Sequence, residues 1–125
     1  MDLLLDTHVF LWWCDNSPKL GKLANEAIAN PRNVVYVSVA SAWEIAIKET
    51  LGRLKTPEPV EDAVTENEFS PLSISFQHAR LAGSLPNHHR DPFDRMLVAQ
   101  AQADGLVLVT RDERIRPYTV KVLWI

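Results

Sequence analysis

Leu3-Leu4-Leu5-Asp6-Thr7-His8-Val9-Phe10-Leu11-Trp12-Trp13-Cys14 opens on a short apolar run fit for a strand buried on both faces and continues into a stretch, His8 to Cys14, that reads as a helix. The unit is strand then helix, and the same alternation repeats outward. Leu20, Leu23, Ala24, Ala27 and Ile28 recur at helical spacing, Asn30-Pro31 ends that pattern, and the β-branched and aromatic Val34-Val35-Tyr36-Val37 predicts a second strand. Ser38 is placed to cap a helix running to about Leu51, with Gly52 just past its end, so that this helix carries Glu44. Farther on, the pattern predicts an amphipathic helix from Glu58 to Phe69, a short strand at Leu72-Ser73-Ile74 and a helical stretch through Phe76, Ala79, Arg80 and Gly83. Asp91-Pro92-Phe93-Asp94 has the order of N-cap, N1, N2 and N3 of a helix that ends near Gly105; strands are expected at Leu106–Val109 and Val120–Trp124. Strands alternating with helices predict an α/β sandwich around a central, mainly parallel sheet.

The 125 residues, 46% hydrophobic and 23% charged, lie near the globular average, and neither a repeat nor a linker divides them, so one domain spanning 1–125 is expected. At this length folding removes roughly two-thirds of the extended chain's surface from water, enough for a core without disulfides. With 13 basic and 16 acidic residues the formal charge is -3, so any basic surface for a nucleic acid must be local. Cys14 is the only cysteine, which excludes an internal disulfide and a cysteine-cluster zinc site, fits a reducing compartment and is expected as a small buried side chain. Asp2, Asp6 and Asp15 interrupt the apolar N-terminus, arguing against a secretory signal or membrane span and for a cytoplasmic location.

In a parallel sheet, ligands bind outside the carboxyl ends of the strands. Asp6 directly follows the first strand, Asp112 follows the strand ending at Val109, and Glu44 and Asp94 lie near helix N-termini, so all four can converge at one edge. Bare carboxylates sharing a small pocket repel one another and resist desolvation; a divalent cation resolves the conflict. An all-oxygen donor set, without a thiolate set or a helical HExxH pair, favours Mg²⁺ or Mn²⁺ over zinc. The chemistry implied is phosphodiester hydrolysis.

Leu4-Leu5-Asp6-Thr7, Ser38-Val39-Ala40-Ser41-Ala42-Trp43-Glu44-Ile45-Ala46-Ile47-Lys48, Asp91-Pro92-Phe93-Asp94-Arg95-Met96-Leu97 and Leu108-Val109-Thr110-Arg111-Asp112 together resemble the PIN-domain ribonucleases, specifically the VapC-type toxins of bacterial toxin–antitoxin modules. Each motif is weak singly; the ordered set spans nearly the whole chain. The resemblance implies a PIN-like three-layer α/β/α sandwich with a central mainly parallel sheet. It also implies a metal-dependent endoribonuclease acting on RNA, held inactive by a small antitoxin protein and forming a homodimer. The acidic set carried over is Asp6, Glu44, Asp94 and Asp112. Where the family often has Ser or Asn two places after the first aspartate, this chain has His8. Asp91 competes with Asp94 for the third acidic role; Asp94 matches the family's aspartate just before the apolar helix, leaving Asp91 mainly a cap.

Thr7, Ser41 and Thr110 suit the orientation of carboxylates, although capping and strand-end hydrogen bonds explain them nearly as well. Lys48, four residues after Glu44, can tether that glutamate or attract phosphate. Arg90, Arg95, Arg111, Arg114 and Arg116 cluster in sequence around two of the acids as a local RNA-binding rim, against a solvated surface as the plainer reading. His88-His89 reads as part of a solvated polar loop, and neither histidine is assigned as a base. Trp12, Trp13, Trp43 and Trp124 fit core or dimer packing better than base stacking. Glu58, Glu61, Asp62, Glu66 and Glu68 suggest an exposed acidic helix facing a basic partner segment or only solvent, with Val60, Val64 and Phe69 candidates for an antitoxin groove. Two other classes stay open: an aspartate-based phosphatase or phosphoacceptor domain, disfavoured because no DxD follows the first strand, and a non-catalytic metal-dependent RNA- or protein-binding module.

Overall fold

The computed structural model describes every residue from Met1 to Ile125. Strands β1 (Asp2–Leu5), β2 (Val34–Ser38), β3 (Ser70–Leu72), β4 (Val107–Thr110) and β5 (Val122–Trp124) form one sheet in the order β3-β2-β1-β4-β5, parallel at every pairing. Helices α1 (Thr7–Cys14), α2 (Gly21–Ala29), α3 (Val39–Thr50), α4 (Val60–Glu66), α5 (Phe76–Ser84) and α6 (Pro92–Asp104) connect them, with single 3₁₀ turns at Pro18–Leu20 and Glu113–Ile115.

The opening apolar run is explained by its place in the middle of this sheet. Side chains alternate across a strand, so Leu3 and Leu5 join one core with Val9, Phe10, Ile28, Val35 and Val37, while Leu4 joins the opposite core with Leu97, Val98, Leu108 and Ile115. All three leucines are completely buried. Burial of a leucine side chain contributes about 1.5–3 kcal/mol, which makes β1 intolerant of a polar change. The two cores define the three layers expected of the α/β/α sandwich.

The chain builds outward from β1 through β2 to β3, then returns to place β4 on the other side of β1. The strand order therefore reverses at β1, and the carboxyl ends of β1 and β4 open onto a crevice, the usual ligand position in such sheets. Helices α1, α3 and α6 start at this edge with side-chain caps. Asp6 accepts from Val9 N–H at 2.8 Å, Ser38 from Ala40 N–H at 3.0 Å, and Asp91 from Phe93 and Asp94 N–H at 2.8 and 3.2 Å, with Pro92 at the first helical position.

Some expected boundaries move. The helix proposed over Glu58 to Phe69 covers only Val60–Glu66, because Pro59 is extended at its entrance and Glu68 leaves it in the left-handed region at φ 58°. Phe69 N–H returns to Val64 C=O at 2.9 Å, and Phe69 is buried, so the exit is a Schellman-type turn. The following strand consequently lies at Ser70–Leu72 rather than 72–74, in register with Tyr36–Ser38; Pro71 is tolerated there because β3 is an edge strand. Leu106 belongs to the exit of α6, where Gly105 is left-handed at φ 68°, so β4 starts one residue later than expected. The last strand is limited to Val122–Trp124.

Cys14 is exposed rather than buried, since α1 ends there and the next residues, Asp15 and Asn16, turn away into solvent. Trp12 and Trp13 pack against one core and Trp124 against the other, but Trp43 is 61% exposed, edge-on to Phe93. Val64 and Phe69 are consumed by the core, where Phe69 meets Phe10 and Trp13, so they do not form the apolar groove proposed for a partner helix. No helix is long and apolar enough to cross a membrane.

Candidate active site

Asp6, Glu44, Asp94 and Asp112 line one pocket of about 270 Å³ at the carboxyl edge of the sheet, together with Thr7, His8, Lys48, Asp91, Arg111 and Arg114; no lining residue is apolar. Each carboxylate is delivered by a different element and held by its own donor. Asp6 is the first residue past β1, and its N–H is fixed to Val109 C=O at 3.1 Å. One of its oxygens caps α1, and the other accepts from Thr110 Oγ1 at 2.5 Å. Glu44 projects from α3, where Oε1 accepts from Thr7 Oγ1 at 2.7 Å and Oε2 lies 3.0 Å from Lys48 Nζ. The Thr7 hydroxyl has one proton to give, and Ser41 Oγ is 3.0 Å from it, so a Ser41–Thr7–Glu44 chain ends on the carboxylate. Thr7, Ser41, Lys48 and Thr110 thus all touch the acids or their donors.

Asp94, in the first turn of α6, has Oδ2 at 2.8 Å from His89 Nε2. Asp112 follows β4 by way of Thr110, whose Oγ1 accepts its N–H at 3.1 Å. Its carboxylate is forked by Arg114, Nε to Oδ1 at 3.0 Å and an Nη to Oδ2 at 2.9 Å, while Oδ2 is 3.6 Å from His89 Nε2. Asp91 spends Oδ1 on the α6 cap, as expected of it, although it borders the pocket.

These environments separate the acids electrostatically. Burial pushes the Asp6 carboxyl above the usual range, with Thr110 and Val9 hydrogen bonds opposing it and the Asp112 charge adding to it. Burial also pushes Asp94 up to about 7, assisted by the Asp91 and Asp6 charges and opposed by the His89 hydrogen bond. Asp112 moves the other way because the Arg114 hydrogen bond holds it ionised. A pocket open to solvent in which four carboxylates meet, with Asp6 and Asp94 resisting ionisation, fits a hard divalent cation. His89 Nε2 and oxygens of Asp94 and Asp112 lie within 4.8 Å of one another.

His89 corrects the sequence expectation. It is only 5% exposed and reaches two of the acids, whereas His88 is exposed as expected, edge-on to Tyr118. The signal was faint: two residues before an Asp-Pro cap, the loop must turn back over the helix it introduces. Arg95 also differs from expectation. Its guanidinium donates to Ala82, Leu85 and Pro86 C=O at 2.8, 3.0 and 3.1 Å, so it caps the end of α5 instead of facing an RNA. Arg111 borders the pocket but is tied to Lys19 and Ile125 C=O and stacked over Trp12, and Arg90 is exposed outside the pocket lining. His8 lines the pocket beside Trp12, with ring centroids 5.9 Å apart.

The PIN domain family model matches residues 3–120. Ribonuclease VapC22 of Mycobacterium tuberculosis is 30% identical over 119 residues, covering 93% of this chain and 91% of that protein. Ribonuclease VapC16 of the same organism is 42% identical over 64 residues, 46% of this chain and 45% of that protein. The crystal structure of VapBC2 from Rickettsia felis bound to a promoter DNA fragment has a TM-score of 0.73 at 14% identity, covering 98% of both chains. DNA-bound VapBC from Salmonella typhimurium gives 0.67 at 20% identity, covering 98% of this chain and 97% of that one. At such identities the structural likeness establishes the fold, and the match along the sequence establishes the kinship. The chain belongs to the PIN domain family, among the VapC ribonucleases.

Proposed function

We propose that this chain is a metal-dependent endoribonuclease toxin that hydrolyses RNA phosphodiester bonds and is inhibited by a small antitoxin protein. The observation that carries the reading is the convergence of Asp6, Glu44, Asp94 and Asp112 on one pocket without an apolar lining residue, in a chain 30% identical to a ribonuclease over 93% of its length. Asp6, Asp94, Asp112 and Glu44 hold Mg²⁺ or Mn²⁺ in this reading, because oxygen donors suit a hard cation. When bound, the ion supplies the positive charge that polarises a phosphate and makes water a stronger acid.

The chain's own groups do the rest. Asp6 and Asp112 are pre-aimed by Thr110, which bonds the side chain of one and the backbone of the other. Thr7 and Ser41 fix Glu44. Lys48 and Arg114 offer positive charge at the pocket to an incoming phosphate, at the cost of their pairs with Glu44 and Asp112. Solved structures of the same fold include a toxin–antitoxin complex from Klebsiella pneumoniae and VapBC-5 of Mycobacterium tuberculosis, a member of a family of toxin–antitoxin systems, which supports an antitoxin partner for this chain. A homodimer and an RNA substrate follow from the family resemblance.

The test is cleavage of a mixed RNA substrate by purified, partner-free protein with added Mg²⁺ or Mn²⁺. The expected result is metal-dependent endonucleolytic cutting that falls by about 100-fold or more in Asp6→Asn and in Asp94→Asn while both variants keep the fold. Wild-type rates in both variants reject the site; tight RNA binding without turnover under every metal condition favours the binding-module alternative.

A further inference from the structure

We propose that His89 is a positioning residue: its Nε2–H hydrogen-bonds Asp94 and faces Asp112 alongside, restraining the two carboxylates relative to each other without itself becoming a metal ligand. The proposal rests on the nuclease reading for its consequence in catalysis, but its geometric basis is independent of that reading.

The imidazole has little freedom. His89 is 5% exposed; its backbone N–H donates to Tyr118 Oη at 3.0 Å, and Tyr118 is itself buried and within 3.4 Å of an Arg95 Nη. The ring therefore hangs from an anchor 29 residues away in sequence, on the far side of β4. Its Nδ1 faces the Asp91 N–H in a long contact of 3.5 Å, which requires a lone pair on Nδ1. The neutral ring then carries its hydrogen on Nε2, which lies 2.8 Å from Asp94 Oδ2 and 3.6 Å from Asp112 Oδ2. A nitrogen ligand would need the opposite tautomer, with Nδ1–H pointing at the Asp91 N–H, donor against donor.

The role follows from where the two acids come from. Asp94 rides on α6 and Asp112 on the segment after β4, so no local turn geometry fixes their spacing. Arg114 restrains Asp112 from the solvent side. Only His89 contacts both acids with one donor atom. The same arrangement recurs at a purely structural position, where His78 Nδ1 accepts from Ser75 N–H at 3.1 Å and Nε2 lies 3.2 Å from Asp104, linking α5 to the end of α6. In both places a backbone N–H selects the tautomer that offers Nε2–H to an aspartate.

The test combines three readouts. In the metal-free protein, long-range ¹H–¹⁵N correlation of the imidazoles is expected to show His89 as the Nε2–H tautomer. Titration with Mn²⁺, followed by electron paramagnetic resonance, is expected to show binding weakened about 10-fold to 100-fold in His89→Leu and restored to within about 3-fold in His89→Gln, whose amide retains an N–H donor. Bound Mn²⁺ is expected to show no ¹⁴N hyperfine coupling from His89. An Nδ1–H tautomer, unchanged Mn²⁺ affinity in His89→Leu, or a nitrogen coupling present in wild type and lost in His89→Leu each overturns the positioning role. If His89→Leu fails to fold, the wild-type tautomer and coupling and the His89→Gln affinity still decide. If the wild-type protein cuts no RNA, the nuclease reading fails while the tautomer and Mn²⁺ measurements continue to judge His89.

Discussion

Asp94 sets the pH response of the metal-free protein. Its carboxyl is pushed from its ordinary value of 3.8 up to about 7 in the folded chain, chiefly by burial. Between those values the folded state holds a proton that the unfolded state has released, so stability is greatest on the acid side and falls as pH rises through 7. Asp6 is shifted in the same direction and adds to the slope, whereas Asp112 is shifted down, so its stabilisation is fully present above pH 5 and adds no slope there. Urea denaturation in chelator is therefore expected to give a stability lower at pH 8 than at pH 5 by about 2–3 kcal/mol, with most of that difference abolished in Asp94→Asn. Equal slopes in the two proteins would reject the assignment. The acids were legible in the sequence because Asp6 and Asp112 follow apolar strands, Asp94 opens a helix and Glu44 stands among apolar neighbours in the middle of one. His89 was not, because His88-His89-Arg90 looks solvated and its burial depends on Tyr118, which only the tertiary fold brings over it. Arg95 misled for the same reason: a basic residue beside an acidic motif resembles a phosphate contact until the carbonyls of α5 are placed against it.

The elements that aim the acids are held at their ends. Caps at Ser38 and Asp91-Pro92, and helix exits at Gly52 and Gly105, were readable because capping chemistry is local, four or five residues at a time. The α4–β3 segment was misplaced because its boundaries depend on Glu68 adopting a left-handed conformation and on pairing with β2, neither of which hydrophobic spacing encodes. The α5–α6 pair offers a direct test of the corrected role of Arg95. Arg95→Ala removes the donors to three carbonyls at the end of α5 and a contact to Tyr118. The expected cost is about 2 kcal/mol, on the order of 5–10 °C in Tm, read by thermal melting. Its KM for RNA is expected to stay within about 2-fold of wild type and its cleavage rate to show the same salt dependence, because a lost phosphate contact would reduce that slope. A stable variant with weakened, less salt-sensitive RNA binding would return Arg95 to the binding rim.

Across the whole molecule, the alternation of strands and helices was enough to predict the layers, but not the strand order, since any of several parallel pairings buries the same apolar runs. The order matters because placing β1 between β2 and β4 gathers acids from the start of the chain, from α3, from α6 and from the segment after β4. Elements far apart in sequence therefore converge on a region that is destabilised by its own charge, and a cation bound there acts on global folding equilibrium rather than on one loop. A ligand that binds only the folded state stabilises it by RT ln(1 + [L]/Kd), about 2.7 kcal/mol at 100 times Kd. Mg²⁺ or Mn²⁺ at saturating concentration is accordingly expected to raise the stability of the wild-type chain by about that amount, and chelator to reverse the gain. The gain should be larger at pH 8 than at pH 5, because the ion competes with the protons that Asp94 and Asp6 retain on the acid side. In Asp94→Asn both the gain and its pH dependence should be lost, while controls without the divalent ion, such as added NaCl at equal ionic strength, should leave wild type and variant alike. A stabilisation by Mg²⁺ that survives unchanged in Asp94→Asn and in Asp6→Asn would place the ion elsewhere on the molecule and separate the acidic pocket from the metal altogether.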